Sequence, residues 1–145
     1  MISNPETTLV VKRTFSASRD TVFNAWTDPN ALKQWFHAGD DMTTPIHEVD
    51  LRVGGKYRLG MQAKDDDTLY VVHGTYREVQ RPEKLVYTWS WEGQEAAETL
   101  VTVLFSELEN STEVVLTHEQ FPSVEERDKH HEGWRACFKQ LAEMF

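Results

Sequence analysis

Hydrophobic and polar positions alternate in several short segments of the chain and recur at helical spacing in others. Alternation predicts strands, because successive side chains of a strand point to opposite faces of a sheet. The clearest case is residues 56–62, where Tyr57, Leu59 and Met61 alternate with polar or small residues. The predicted strands cover residues 7–15, 46–52, 56–62, 69–79, 84–91, 98–108 and 113–121.

Three segments show helical spacing instead. They are residues 18–28, residues 29–36 and a long segment from near residue 123 to the last residue. Ser18 and Ser123 are predicted N-caps, and Glu126 completes a capping box with the second of them. The last helix carries an apolar stripe formed by Trp134, Phe138, Leu141 and Phe145. Residues 37–45 are predicted to be a loop.

This order of elements predicts an α+β fold with two short helices after the first strand. Short turns, such as the one predicted at residues 92–97, join the later strands, so the sheet of about six to seven strands is antiparallel. Its apolar face needs a cover, and the two short helices are too small to supply it. The long C-terminal helix is therefore predicted to lie across the concave face. We expect one domain over residues 1–145.

Charge and composition exclude several classes of partner. The formal net charge is −9, which disfavours nucleic acid and anionic membrane surfaces. No apolar run approaches the roughly 18 residues that cross a bilayer, and the first residues have no signal-peptide pattern. The only cysteine is Cys137, so no internal disulfide forms and a cytoplasmic location is expected.

The predicted inward positions of the strands carry unusually large side chains. Tyrosine and tryptophan supply both apolar area and a polar tip that needs a hydrogen-bond partner. Two interpretations remain open on these residues alone: a packed aromatic core with its tips at the edge, or an aromatic-lined cavity between sheet and helix. The side chains concerned are Tyr57, Met61, Tyr76, Tyr87, Trp89, Trp91, Trp134 and Phe138.

Few residues are candidates for catalysis or metal binding. Arg13 shares the parity of apolar residues and would need a carboxylate partner, either in the protein or in a ligand. His118 has an inward parity and is either a hydrogen-bonded core histidine or half of a catalytic pair with a tyrosine hydroxyl. Cys137 lies near the apolar stripe as a small buried thiol. His130 and His131 point about 100° apart on a helix and cannot chelate one metal together.

Residues 11–36 resemble the opening signature of the START-like helix-grip (SRPBCC) proteins. Within that superfamily, the sequence is similar to the activator of heat-shock-protein-90 ATPase homologues, in their single-domain bacterial form. The matching residues are Arg13, Phe15, Val22, Phe23, Ala25, Trp26, Thr27, Asp28, Pro29, Leu32 and Trp35. Residues 53–61, 73–91 and 133–145 resemble the later blocks of the family in order and spacing, so the resemblance covers nearly the whole chain.

The resemblance implies a curved sheet that grips the C-terminal helix, with a cavity that binds a small apolar or amphipathic molecule. Two alternatives stay open: a co-chaperone-type interaction module with a chaperone as its partner, and a cyclase or hydrolase that uses the same cavity. No cofactor and no metal are predicted. The predicted ligand-binding residues are Arg13, Trp35, Tyr57, Leu59, Met61, Tyr76, Tyr87, Trp89, Trp91, His118, Trp134, Cys137 and Phe138.

Overall fold

The computed structural model describes residues 5–39, 41–93 and 98–145. A short 3-10 turn at Pro5–Thr7 precedes the first strand. The strands are β1 (Leu9–Phe15), β2 (Met42–Val49), β3 (Lys56–Ala63), β4 (Leu69–Gln80), β5 (Lys84–Trp91), β6 (Thr99–Leu108) and β7 (Ser111–Glu119). The helices are α1 (Arg19–Thr27), α2 (Pro29–Trp35) and α3 (Val124–Ala142).

The strands form one antiparallel sheet of seven strands in the order β1-β7-β6-β5-β4-β3-β2. Neighbours along the chain from β2 to β7 are also neighbours in the sheet, because short turns join them. The first strand adds to the far side of β7, so β1 and β2 are the two edge strands. The predicted α+β fold class is confirmed.

The helices begin where the sequence predicts. The Ser18 hydroxyl accepts a hydrogen bond from the Thr21 N–H, 3.3 Å away, at the start of α1. The Ser123 hydroxyl accepts one from the Glu126 N–H, 3.2 Å away, at the start of α3. Both N-cap predictions are confirmed. The last helix ends at Ala142 rather than at the final residue.

The core lies between the sheet and the three helices. On α3, Phe138 packs against Phe15 of β1 and Trp26 of α1, with ring centroids 5.8 and 5.5 Å apart. On α1, Phe23 packs against Phe105 of β6 at 5.2 Å. Each of these rings is at least 96% buried, and burial of rings this large is a main source of stability.

The predicted boundaries of β2 are wrong. The strand begins at Met42, inside the predicted loop, and ends at Val49. Pro45 was the signal for a loop, but β2 is an edge strand, where a residue without an N–H costs little. The pairing with β3 shifts register between Thr43 and Ile46, which accommodates the proline. The turn predicted at residues 92–97 lies mostly outside the described residues.

The predicted inward position of Arg13 is also wrong. It alternates with Val11 and Phe15, which are buried, yet its own side chain is exposed. The reason is that β1 is an edge strand with α3 beside it. A side chain on the inner face at this edge reaches past the core into water.

Candidate functional site

Three tyrosines from neighbouring strands form a closed aromatic cluster. We call Tyr57, Tyr76 and Tyr87 the tyrosine cluster; their ring centroids lie 5.3 to 5.9 Å apart. Trp26 and Trp35 of the first two helices help to close it, leaving a void of only about 20 Å³. Such a void holds about one water molecule, so this part of the interface is packed core.

Two of the three hydroxyls of the tyrosine cluster have hydrogen-bond partners inside the protein. The Tyr57 hydroxyl donates to the Thr88 carbonyl oxygen, and the Trp26 indole N–H donates to the Tyr87 hydroxyl oxygen over 3.4 Å. Burial raises the pKa of all three tyrosine hydroxyls, so they stay neutral. The cluster therefore has no ionised group to offer a substrate.

A second region of the same interface is open. We call it the aromatic groove: a cavity of about 560 Å³ between the first half of α3 and the strands β3, β4 and β5. Its apolar walls are formed by Phe36, Met42, Met61, Leu69, Tyr70, Val71, Trp89, Trp91 and Trp134. Leu69 and Tyr70 are 44% and 48% exposed, so the groove has an apolar mouth.

A glycine on α3 helps to keep this region open. Gly133 lines the groove, and a Cβ built there would meet no heavy atom within 4 Å. Every other residue type would project at least a methyl group into that space. At the other end of the interface, Trp26 and Trp35 of the short helices fill the corresponding volume.

A histidine and a tryptophan join the two walls of the groove. The Trp91 indole N–H donates to His130 Nε2 over 2.9 Å, and His130 Nδ1–H donates to the Glu126 carbonyl oxygen over 2.7 Å. A ring that accepts at one nitrogen and donates at the other is neutral. Desolvation, the largest cause, lowers the pKa of His130, which agrees with this assignment.

His118 lies behind the groove wall rather than in it. Its Nδ1 accepts from the Trp134 indole N–H at 3.0 Å, and its Nε2–H donates to Thr99 Oγ1 at 2.7 Å. The Thr99 hydroxyl then donates to the Trp89 carbonyl oxygen at 3.2 Å. The side chain is 0% exposed, and burial holds the pKa of His118 well below its usual range. Both nitrogens are occupied, so this histidine connects α3 to the sheet.

One polar atom of the groove wall has no partner. The indole Nε1–H of Trp89 is buried and makes no hydrogen bond within the described part of the chain. Its ring contacts Trp134 and Trp91, with centroids 5.2 and 5.5 Å away. A buried donor without an acceptor costs about 1–3 kcal/mol, and the Trp89 side chain lies at the boundary between the aromatic groove and the closed void.

Cys137 also lines the groove but is not a reactive thiol. It is 95% buried, and desolvation raises the pKa of its thiol to about 12. A thiol that stays protonated is a poor nucleophile. Its contribution to the groove is a small apolar surface.

The predicted site residues fall into three groups. Met61, Trp89, Trp91, Trp134 and Cys137 line the aromatic groove. Trp35, Tyr57, Leu59, Tyr76 and Tyr87 surround the closed void instead. His118 lies behind Trp134, Phe138 lies in the core, and Arg13 lies outside both regions.

Sequence reasoning missed several groove residues. Phe36 was predicted to face inward at the end of the second helix but not to line a site, and Leu69 and Tyr70 begin β4, where they show no clear inward parity. His130 was considered only as a metal ligand. Its helical spacing from Gly133, Trp134 and Cys137 was the available signal, because these positions share one side of α3.

Comparison with models of known protein families identifies the family of this chain. The family model described as Activator of Hsp90 ATPase homolog 1-like protein matches residues 16–145. The chain belongs to this family. No curated protein matches the sequence. The resemblance predicted from residues 11–36 and the later blocks is confirmed.

Solved structures of bacterial proteins are similar over almost the whole chain. A protein from Chromobacterium violaceum is 25% identical, with a TM-score of 0.87 over 95% of this chain and 96% of that one. An AHSA1 protein from Silicibacter pomeroyi is 24% identical, with a TM-score of 0.84 over 94% and 96% of the two chains. The fold of this family member is therefore that of a START-like protein.

Family and fold together support a ligand-binding or Hsp90-ATPase-activator-like module in general. None of the described helices is long and apolar enough to span a membrane. Among the described residues, no three His, Cys, Asp or Glu side chains are grouped in a way that would hold a metal ion.

Proposed function

We propose that this family member binds a small, neutral, largely apolar molecule in the aromatic groove. The observation that carries the proposal is the groove itself, an open cavity of about 560 Å³ with apolar walls. Ligand sites usually measure about 300–1,000 Å³ and combine apolar walls with a few polar groups. The closed tyrosine cluster, with about 20 Å³, is too small for any such ligand.

The walls favour a ligand with flat or ring-shaped apolar surface. Indole rings face the groove from two sides, and they belong to Trp89, Trp91 and Trp134. The ring centroid of Phe36 lies 6.1 Å from those of both Trp89 and Trp134. Edge-to-face and offset contacts between aromatic rings add about 0.5–1.5 kcal/mol each beyond the area buried. Trp89, Trp134 and Phe36 are already buried, so the apolar surface that a ligand would remove from water belongs mainly to Leu69, Tyr70 and Trp91.

The polar groups favour a neutral ligand that carries a hydrogen-bond acceptor. The Trp89 indole N–H is buried and lacks a partner within the described residues, so a ligand carbonyl, ether or hydroxyl oxygen would satisfy it once the Trp89 ring shifts toward the groove. The charged residues that line the groove are Glu92, Glu126 and Lys129, and Lys129 already contacts Glu126 at 3.8 Å. Glu92 is paired with Arg58 at 2.6 Å, and no unpaired cation lines the groove among the described residues, so the carboxylate of a fatty acid would find no cationic partner there.

The test is an amide and indole chemical-shift screen of ¹⁵N-labelled protein. The probes are a neutral flavone, a neutral sterol and a fatty acid of similar size. We expect the neutral probes to shift signals of β3, β5 and the first half of α3, and to move the Trp89 indole N–H most. Shifts confined to other surfaces, or none at millimolar probe, would contradict the proposal.

Two variants sharpen the screen. Gly133→Phe starts from a position where an added Cβ meets no heavy atom within 4 Å, and its ring should fill part of the groove and abolish binding; circular dichroism checks that the variant folds. Trp89→Phe keeps an aromatic wall but removes the indole N–H, and should weaken only ligands that carry an acceptor. Lys33→Gln, on the exposed side of α2, is the matched control and should leave binding unchanged.

A chaperone-directed role is the second candidate, because the matching family model is described as an ATPase activator homologue. It predicts that the protein stimulates the ATPase of a purified Hsp90-type chaperone. Stimulation that survives Gly133→Phe would favour this role over the aromatic groove. Absence of stimulation, together with a positive ligand screen, would favour ligand binding alone.

A further inference from the structure

The other side of α3 carries a concentration of positive charge. A cavity of about 470 Å³ between β1 and α3, which we call the basic groove, is lined by Lys12, Arg13, Arg135 and Lys139. Among the described residues, Glu132 is the only acidic one in its lining. The groove therefore has an excess of positive charge on a chain whose formal net charge is −9.

Three of these cations have no ion-pair partner among the described residues. Nine of the fifteen Lys and Arg residues of the chain contact a carboxylate within 4.0 Å in the described structure. Arg13, Arg135 and Lys139 do not, within the same described residues, and all three are exposed. Half of the six cations without a carboxylate partner thus meet in one groove. Glu132 lines the same groove, yet none of these three cations has a carboxylate within 4.0 Å among the described residues.

The shape of the basic groove suits an extended chain. One wall is β1, an edge strand of the sheet, and Val11 and Phe138 contribute apolar surface beneath the charges. An edge strand offers main-chain N–H and carbonyl groups to a segment that lies alongside it. A guanidinium such as that of Arg13 or Arg135 binds a carboxylate through two parallel hydrogen bonds.

We propose that the basic groove binds an acidic, extended peptide segment of a partner protein. Carboxylates of the segment pair with Arg13, Arg135 and Lys139, and its backbone runs along the outer edge of β1. This site is separate from the aromatic groove, because Arg135 and Lys139 lie on a different side of α3 from His130, Gly133 and Cys137. The two proposals therefore succeed or fail independently.

A peptide fits the charges better than a nucleic acid does. A long polyanion would extend beyond the groove onto a chain of net charge −9 and would lose by repulsion what it gains from a few contacts. Glu132 lies within the groove, and Glu113 already contacts Lys12 at 3.6 Å, so the positive surface is short. A segment with two or three carboxylates matches that length.

The test uses a fluorescein-labelled, amidated peptide of six residues that alternates Glu with Ser or Val and so carries three side-chain carboxylates, and a second peptide with Gln in place of Glu. Fluorescence anisotropy measures affinity at low and at physiological salt. We expect the Glu peptide to bind at least about tenfold more tightly than the Gln peptide, with binding that weakens as salt rises. Amide shifts of labelled protein should locate the Glu peptide on β1 and the exposed side of α3.

A charge-matched pair of variants separates the groove from general electrostatics. Arg13→Gln, Arg135→Gln and Lys139→Gln are combined in one protein, and Lys33→Gln, Lys56→Gln and Lys64→Gln in the other. Each triple variant removes three exposed cations that lack a carboxylate partner in the described structure. The variant of Arg13, Arg135 and Lys139 should lower the affinity for the Glu peptide about fivefold to tenfold, since exposed ion pairs are individually weak. The variant of the three control lysines should barely change that affinity.

Four results would overturn the proposal: no binding of the Glu peptide, equal binding of the Gln peptide, equal weakening by both triple variants, or shifts that map elsewhere. Tighter binding of a single-stranded oligonucleotide than of the Glu peptide would also overturn it in favour of a nucleic-acid site. Circular dichroism of both triple variants checks folding, and all six substituted side chains are exposed.

Discussion

The tyrosine cluster and the aromatic groove are built from the same kind of residue on the same strands, yet one is closed and the other open. Tyr87 and Trp89 are two residues apart on β5 and share one face of the sheet. Trp26 and Trp35 of the short helices help to close the void beside Tyr87 to about 20 Å³. Beyond Trp89, α3 presents Gly133 and the cavity widens to about 560 Å³.

The difference shows that the helices, rather than the strands, decide which aromatic side chains are core. An inward aromatic residue becomes core when a bulky side chain from a helix packs against it, and becomes a cavity wall when a small residue faces it. The hydrogen bonds follow the same division. In the tyrosine cluster the Tyr57 and Tyr87 hydroxyls have internal partners, whereas the buried indole N–H of Trp89, at the boundary between the two regions, has no acceptor among the described residues.

The largest expected loss of stability comes from a substitution in the closed region. Trp35→Ala removes a ring that is 0% exposed and whose indole N–H donates to the Ala25 carbonyl oxygen at 2.8 Å. Loss of a buried tryptophan costs about 3–5 kcal/mol of unfolding free energy, measured by urea denaturation. Trp91→Ala, in the half-buried groove wall, is the matched control and should cost clearly less. Equal losses would mean that both regions are ordinary core.

A second prediction concerns the histidine that connects α3 to the sheet. His118→Leu keeps a buried apolar side chain but leaves the Trp134 indole N–H without its acceptor, at a cost of about 1–3 kcal/mol in unfolding free energy. Thermal and urea denaturation measure it. His73→Leu, at an exposed position of β4, is the control and should change stability little. A neutral result for His118→Leu would show that the Trp134 N–H finds another acceptor.

The pH dependence of stability follows from the same histidines. The pKa values of His118 and His130 are lowered in the folded protein from the usual 6.5, mainly by desolvation. The unfolded chain therefore binds more protons below pH 6.5, and stability falls as the pH drops below that value. Each additional proton gives a slope of about 1.4 kcal/mol per pH unit. Urea denaturation between pH 5 and 8 should show the fall, and His118→Leu should reduce its slope; a flat profile would contradict the buried neutral assignment.

The fold was predictable because the periodicity of this sequence is clear. Alternation located all seven strands, and Ser18 and Ser123 located two helix starts. The failures lie at the sheet edges. Pro45 is tolerated because β2 is an edge strand, and Arg13 is exposed because β1 is one. Strand order is a property of the folded sheet, so periodicity alone could not show which strands are edges.

The candidate site was less predictable than the fold. Parity placed the tyrosines and tryptophans on one face correctly, but it could not divide them between core and groove. That division depends on which side chain of α1, α2 or α3 faces each ring, and this is a tertiary contact between distant parts of the chain. Gly133 marks the open end, yet a glycine inside a helix is visible in sequence only as a residue of poor helix propensity.

The smallest expected effect tests the comparison most directly. Replacing a glycine by alanine should change the free energy of unfolding in opposite directions in the two regions. Gly133→Ala adds a methyl group in open space within α3 and should stabilise the protein by about 0.5–1 kcal/mol through helix propensity. Gly74→Ala, beside the tyrosine cluster, would place a Cβ 1.9 Å from the Thr88 carbonyl oxygen and 2.7 Å from the Tyr57 ring. It should destabilise the protein, because backbone cannot move aside. Urea denaturation measures the change in the free energy of unfolding for both variants. Destabilisation by Gly133→Ala would mean that the groove is less open than its walls indicate.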